Sequence, residues 1–202
     1  FYVIFMNFHR APYIVPKMRY QANHPEKFSE KQRYALAKHC VYLMNKTGKI
    51  TTEAYGLENL PKEGGYIMYP NHQGKYDVLG ILITHEEPCS FVMDKNKSHT
   101  MLVREFIDLV QGKRLEKDNR NKVCDFKAGS FKIALKSKAP IIPIALIDSY
   151  KVFNSFHLGP ITTQVHYLEP ITYDEYKDMK THEIAALVKK RIEEKIASIE
   201  KN

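Results

Sequence analysis

Residues 66–83, YIMYPNHQGKYDVLGILI, place a polar turn between two apolar segments. The first segment, Tyr66–Tyr69, predicts a short buried strand, and the second, Val78–Ile83, predicts a helix. His72 and Asp77 lie five positions apart in the turn between them. Because open α/β sheets bind their ligands at the carboxyl ends of strands, this turn is the predicted location of a functional site.

His72 and Asp77 offer a defined chemistry. The pKa of an unperturbed histidine lies close to neutral, so its imidazole can take up and return a proton at working pH. A carboxylate that accepts the other imidazole N–H fixes the tautomer and stabilises the imidazolium. Since no Ser or Cys stands beside the pair in residues 66–83, the simplest reaction is activation of a hydroxyl of the substrate. The alternative is a structural histidine that only caps or hydrogen-bonds the turn.

Four blocks of the sequence resemble one known family. Asn71-His72 with Asp77 resembles the N-H-x-x-x-x-D motif of the 1-acyl-sn-glycerol-3-phosphate acyltransferases. Residues 56–61, GLENLP, resemble the segment that precedes that motif, and residues 126–129 (FKAG) and 140–143 (PIIP) resemble later blocks. The resemblance rests on all four in this order, because the His-and-Asp spacing alone is a weak signal.

The resemblance implies an activity and two catalytic residues. The family transfers an acyl group from a thioester, acyl-CoA or acyl carrier protein, to the sn-2 hydroxyl of 1-acylglycerol-3-phosphate (lysophosphatidic acid), which gives phosphatidic acid. His72 takes the place of the base and Asp77 of the group that orients it. The acyl carrier is a cosubstrate, and neither a metal nor a tightly bound cofactor is implied. Two alternatives stay open: a catalytically silent lipid-binding domain at a membrane surface, and an acyltransferase for another lysophospholipid.

A charged segment, residues 113–120, corresponds to the family's second block, in which an Arg helps to bind the phosphate of the acceptor. Aligning Leu115-Glu116-Lys117 with the usual apolar-Asp-Arg puts Lys117 at the Arg position. Lys keeps the charge but lacks the bidentate fork of a guanidinium, so neighbouring arginines are candidates to replace it. A solvated charged loop is the alternative. The predicted substrate-binding residues are Lys117, Arg114, Arg120, Asn71 and Gly74.

Composition narrows the range of partners. The formal net charge is +8, and a basic chain attracts nucleic acid, anionic lipid surfaces or phosphorylated substrates. The positive charges are scattered and no nucleic-acid module is recognisable, which favours lipid head groups and the phosphates of an acyl carrier. Cys40, Cys89 and Cys124 have no metal-binding spacing, and reduced thiols in a cytosolic setting are expected.

The chain is expected to have two parts. Residues 1–48 form an aromatic N-terminal segment and an amphipathic helix, which opens with a capping box at Ser29 and ends at Gly48. The resemblance implies that this part associates with the membrane; packing against the core is the alternative. Residues 49–202 alternate strands and helices, which predicts an α/β domain with a mostly parallel sheet flanked by helices, like the glycerolphosphate acyltransferases. The expected location is the cytoplasmic face of the cell membrane, peripheral or anchored through the N-terminus.

Two local features depart from a regular pattern. The family's F-P-E-G phosphate-binding block, with a helix and a strand, is absent between Arg120 and Phe126. Five residues reach roughly 16 Å, too little for those elements, so we expect that a segment is missing from the sequence between residues 120 and 126; a natural deletion is the alternative. Pro143 lies inside the apolar run Ile141–Ile147 and predicts an edge strand or a bulge.

Overall fold

A computed structural model of the chain describes residues 6–94, 103–115, 126–154 and 159–201. The chain divides into two compact units with interleaved segments. The first unit comprises Phe1–Thr51, Val78–Asn119 and Lys151–Thr162; the second comprises Thr52–Asp77, Arg120–Tyr150 and Thr163–Asn202.

Helices and strands alternate after two N-terminal helices. The helices are α1 (Ala11–Asn23), α2 (Glu30–Gly48), α3 (Asp77–Thr84), α4 (Val103–Leu109), α5 (Lys132–Ser137), α6 (Lys151–Asn154), α7 (Tyr173–Tyr176) and α8 (Thr181–Glu200). The strands are β1 (Ile50–Tyr55), β2 (Ile67–Pro70), β3 (Val92–Asp94), β4 (Lys113–Leu115), β5 (Ile141–Ile147) and β6 (Ile161–Tyr167).

The first unit is built on helix packing. The predicted capping box is confirmed: the Ser29 hydroxyl accepts from the Gln32 amide at 3.2 Å, and the Gln32 side chain accepts from the Ser29 amide at 2.8 Å. The apolar face of α2 packs into a core shared with α1, α3 and α4, whose buried members are Met18, Tyr34, Leu36, Ala37, Cys40, Val41, Leu82 and Leu109. Strands β3 and β4 pair in parallel in this unit. No helix within the described ranges has the length and apolarity needed to cross a membrane.

The second unit is built around a four-stranded sheet in the order β1-β6-β5-β2. Strand β5 pairs in parallel with β2, with Ile67 opposite Ile141, and antiparallel with β6, with Ile144 opposite Tyr167. Helix α8 covers β5 through an apolar stripe, in which Ile184, Val188 and Ile192 are fully buried. The predicted α/β fold, a sheet flanked by helices, is confirmed.

Pro143 lies in an inner strand, so the prediction of an edge position is wrong: β5 runs between β6 and β2. The alternative, a bulge, describes the pairing. Three steps along β5, from Ile141 to Ile144, face four steps on the opposite chain, from Tyr167 to Ile171. The extra residue interrupts the ladder beside Pro143, which is why a residue without an N–H is tolerated there.

Candidate active site

The His72 and Asp77 side chains contact each other at the carboxyl end of β2. Nδ1 of His72 lies 2.6 Å from Oδ2 of Asp77. A carboxylate only accepts, so Nδ1 carries the proton and Nε2 is the unprotonated nitrogen of the neutral ring. The Asp77 side chain is 6% exposed, whereas that of His72 is 53% exposed. A buried acid thus orients an imidazole that solvent or a substrate can reach.

Asp77 is held by a set of donors. Among the described residues, the His72 ring, the amides of Gln73 and Gly74 and the Ser149 hydroxyl donate to its carboxylate. The amide bonds are 2.9–3.1 Å long and the Ser149 bond is 2.5 Å. Both carboxylate oxygens therefore accept hydrogen bonds, which fix the rotation of the carboxylate about the Cβ–Cγ bond of Asp77.

The turn is anchored to the sheet by two further contacts. The buried Asn71 side chain pairs with the backbone of Leu146 in β5: Oδ1 accepts from the Leu146 amide at 2.7 Å, and Nδ2 donates to the Leu146 carbonyl at 3.1 Å. The Tyr76 side chain is fully buried, and its hydroxyl lies 2.8 Å from that of Thr52, to which the Thr163 hydroxyl donates at 3.1 Å. Residues on both sides of His72 are thus fixed to strands of the sheet, Asn71 to β5 and Tyr76 to β1.

Sequence reasoning missed Ser149, the described residue that donates to Asp77 from outside the motif. Ser149 follows β5, whose carboxyl end lies beside that of β2 because the two strands are parallel. A polar residue just beyond the end of a buried apolar run was the available signal, but only the pairing of β5 with β2 gives that signal a location.

The structure brings only part of the predicted substrate-binding set together. Gly74 lies in the turn and donates its amide to Asp77, while the Asn71 side chain is occupied by β5. Their contact with a substrate stays a prediction. Lys117 and Arg120 lie outside the described residues, as does the expected gap between 120 and 126, and Arg114 is described only as backbone in β4. In the described ranges, no group of three or more His, Cys, Asp or Glu is placed to hold a metal ion.

Both the fold and the segment that carries this pair have counterparts among known proteins. Residues 51–123, which contain the His72–Asp77 pair, match the family model described as Acyltransferase, in line with the resemblance found in the sequence. The chain also resembles the crystal structure of PlsC, the 1-acyl-sn-glycerophosphate (LPA) acyltransferase from Thermotoga maritima. The TM-score is 0.65 at 18% identity, over 95% of this chain and 98% of that chain. This match confirms the fold. No curated protein sequence matches the chain.

Proposed function

We propose that the protein transfers an acyl group from an acyl thioester to the sn-2 hydroxyl of 1-acylglycerol-3-phosphate and so forms phosphatidic acid in phospholipid synthesis. The observation that carries the proposal is the 2.6 Å contact between Nδ1 of His72 and the buried Asp77, which leaves Nε2 of an accessible ring as the base. The acyl donor is acyl-CoA or acyl carrier protein, acting as a cosubstrate, and the proposal needs no tightly bound cofactor.

The reaction follows from this geometry. Nε2 of His72 takes the proton of the acceptor hydroxyl as its oxygen attacks the thioester carbonyl. The Asp77 carboxylate stabilises the positive charge that forms on the ring. When the tetrahedral intermediate collapses, the carbon–sulfur bond breaks and the imidazolium returns the proton to the leaving thiolate. We further propose that Lys117, Arg114 and Arg120, in that order of preference, bind the acceptor's phosphate, with Asn71 and Gly74 completing the substrate site.

We propose that the protein works at the cytoplasmic face of the cell membrane, held peripherally or through its N-terminus. The first helical segment exposes aromatic side chains, with Phe8 64% and Tyr13 81% exposed. Aromatic rings favour the head-group boundary, and a net charge of +8 favours anionic lipid. Flotation with vesicles of phosphatidylglycerol, compared with phosphatidylcholine, tests this: we expect recovery with the anionic vesicles, weakened in a Phe8→Ala/Tyr13→Ala variant. Equal recovery of the wild type and that variant with the anionic vesicles would contradict the proposed membrane-binding role of Phe8 and Tyr13.

The activity is tested with lysophosphatidic acid and a radiolabelled acyl-CoA. The His72→Ala variant should lose about 10²–10⁴-fold in kcat, the usual contribution of a general base. His182→Ala, at an exposed position near the start of α8, is the control and should keep full activity. Turnover that survives in His72→Ala rejects the proposed base. If the wild-type protein binds lipid but forms no product, the alternative of a catalytically silent lipid-binding domain is favoured. If product forms only from other lysophospholipids, the alternative of an acyltransferase for another lysophospholipid is favoured.

A further inference from the structure

We propose that Ser149 is a positioning residue for the His72–Asp77 pair, a role that rests on the proposed function. Ser149 is 3% exposed and lies in the turn that follows β5. The residue before it, Asp148, has a φ of 61°, in the left-handed region that non-glycine residues seldom occupy. Such conformations cluster at functional sites, and here the turn brings the Ser149 hydroxyl to the motif.

The Ser149 hydroxyl has two acceptors within reach and one proton. Asp77 Oδ1 lies at 2.5 Å and the Gln73 side-chain oxygen at 3.0 Å. The shorter of the two bonds goes to the charged acceptor, and hydrogen bonds to ionised groups are the stronger ones. The Ser149 hydroxyl therefore donates its hydrogen bond to the Asp77 carboxylate. The Gln73 oxygen is still satisfied, because the Ser149 backbone amide donates to it at 3.1 Å. Ser149 therefore contacts the motif through both its side chain and its backbone.

This contact differs in kind from the others around Asp77. The His72, Gln73 and Gly74 donors belong to the same turn as Asp77 and move with it, whereas Ser149 lies 72 positions away in sequence. Its hydroxyl engages Oδ1, the oxygen opposite the one that contacts His72. Fixing Oδ1 sets the rotation of the carboxylate, so that Oδ2 faces the ring and the turn is tied to the end of β5. Ser149 thus acts on the base through Asp77 rather than on the substrate.

The test compares Ser149→Ala with Ser149→Thr, which restores a hydroxyl, and with Ser137→Ala. Ser137 is the control because, among the residues that the structure describes, its hydroxyl bonds to backbone carbonyls of its own helix. Loss of a hydrogen bond to a charged group should lower kcat of Ser149→Ala by about 10–100-fold. KM for both substrates should stay within about twofold, since the residue touches neither. We expect the acid limb of the plot of kcat/KM against pH to shift in Ser149→Ala. We expect Ser149→Thr to recover most of kcat, and Ser137→Ala to match wild type.

A second readout does not depend on the activity. Two-bond ¹H–¹⁵N spectra report which imidazole nitrogen carries the proton, with His72→Gln identifying the signals. We expect the Nδ1–H form in the wild type and an increased share of the Nε2–H form in Ser149→Ala, with no change in Ser137→Ala. Unchanged spectra with unchanged kcat overturn the positioning role. Shifted spectra in a protein without acyl transfer support that role and reject the proposed function. If Ser149→Ala does not fold, Ser149→Cys, a weaker donor, takes its place with the same expected direction.

Discussion

Replacing Asn71 with Ala separates a structural role from a substrate contact. In the structure the Asn71 amide satisfies both the N–H and the C=O of Leu146, a residue only 1% exposed. The variant leaves these two backbone groups buried without a partner. Each such group costs about 1–3 kcal/mol, so we expect the free energy of unfolding to fall by about 2–6 kcal/mol. For a chain of this size the corresponding loss in Tm is roughly 4–24 °C.

The assay combines global and local measurements. Urea unfolding followed by circular dichroism gives the change in free energy, and hydrogen exchange of the Leu146 amide reports the lost bond directly. That amide is protected by Asn71 Oδ1 at 2.7 Å and should exchange faster in the variant. Asn59→Ala is the matched control, because Asn59 donates one bond to the Tyr167 carbonyl at 2.9 Å and its loss should cost about 1 kcal/mol.

The outcome decides between two roles for Asn71. A stability loss below about 1 kcal/mol, with unchanged exchange at Leu146, would refute the reasoning from these two bonds. If activity fell at the same time with a raised KM, the substrate contact predicted from the sequence would be supported instead. A large stability loss with full activity in the folded fraction would assign Asn71 to the anchoring of the turn alone.

Two further predictions concern the packing of the turn and the response to acid. Gly74→Ala should lower kcat about tenfold, because the added Cβ would lie 3.1 Å from the Cα of Tyr150 and displace the turn; Gly129→Ala, with no atom within 4 Å of the added carbon, is the control for the same acyl-transfer assay. Burial lowers the pKa of His166 from 6.5 to about 4, so its stabilising contribution is complete above pH 6.5 and is lost as the pH falls towards 4, by about 3 kcal/mol in all. Urea unfolding at pH 7 and pH 4.5 should show that the free energy of unfolding falls less in His166→Gln than in wild type, whereas the exposed His182→Ala should behave as wild type. The same fall in His166→Gln as in wild type would contradict the role given to His166.

Sequence by itself determined the features that depend on neighbouring residues. The capping box at Ser29, the apolar stripe of α8 and the proximity of His72 to Asp77 all follow from spacings of a few residues along the chain. Spacings of this kind fix which side chains share a helix face or a turn, whatever the rest of the chain does. The alternation of strand and helix segments gave the α/β class for the same reason.

Only the tertiary structure decided what depends on distant segments. Ser149 reaches Asp77, and Asn71 reaches Leu146, because β5 pairs with β2, and the two bonds span 72 and 75 positions of sequence. The inner position of Pro143 likewise follows from where β6 lies. Local periodicity carries no information about which strands become neighbours, since that choice is made by burial of the whole core. The contact between His72 and Asp77 could therefore be read from the sequence, whereas the contacts that hold the two side chains in place could not.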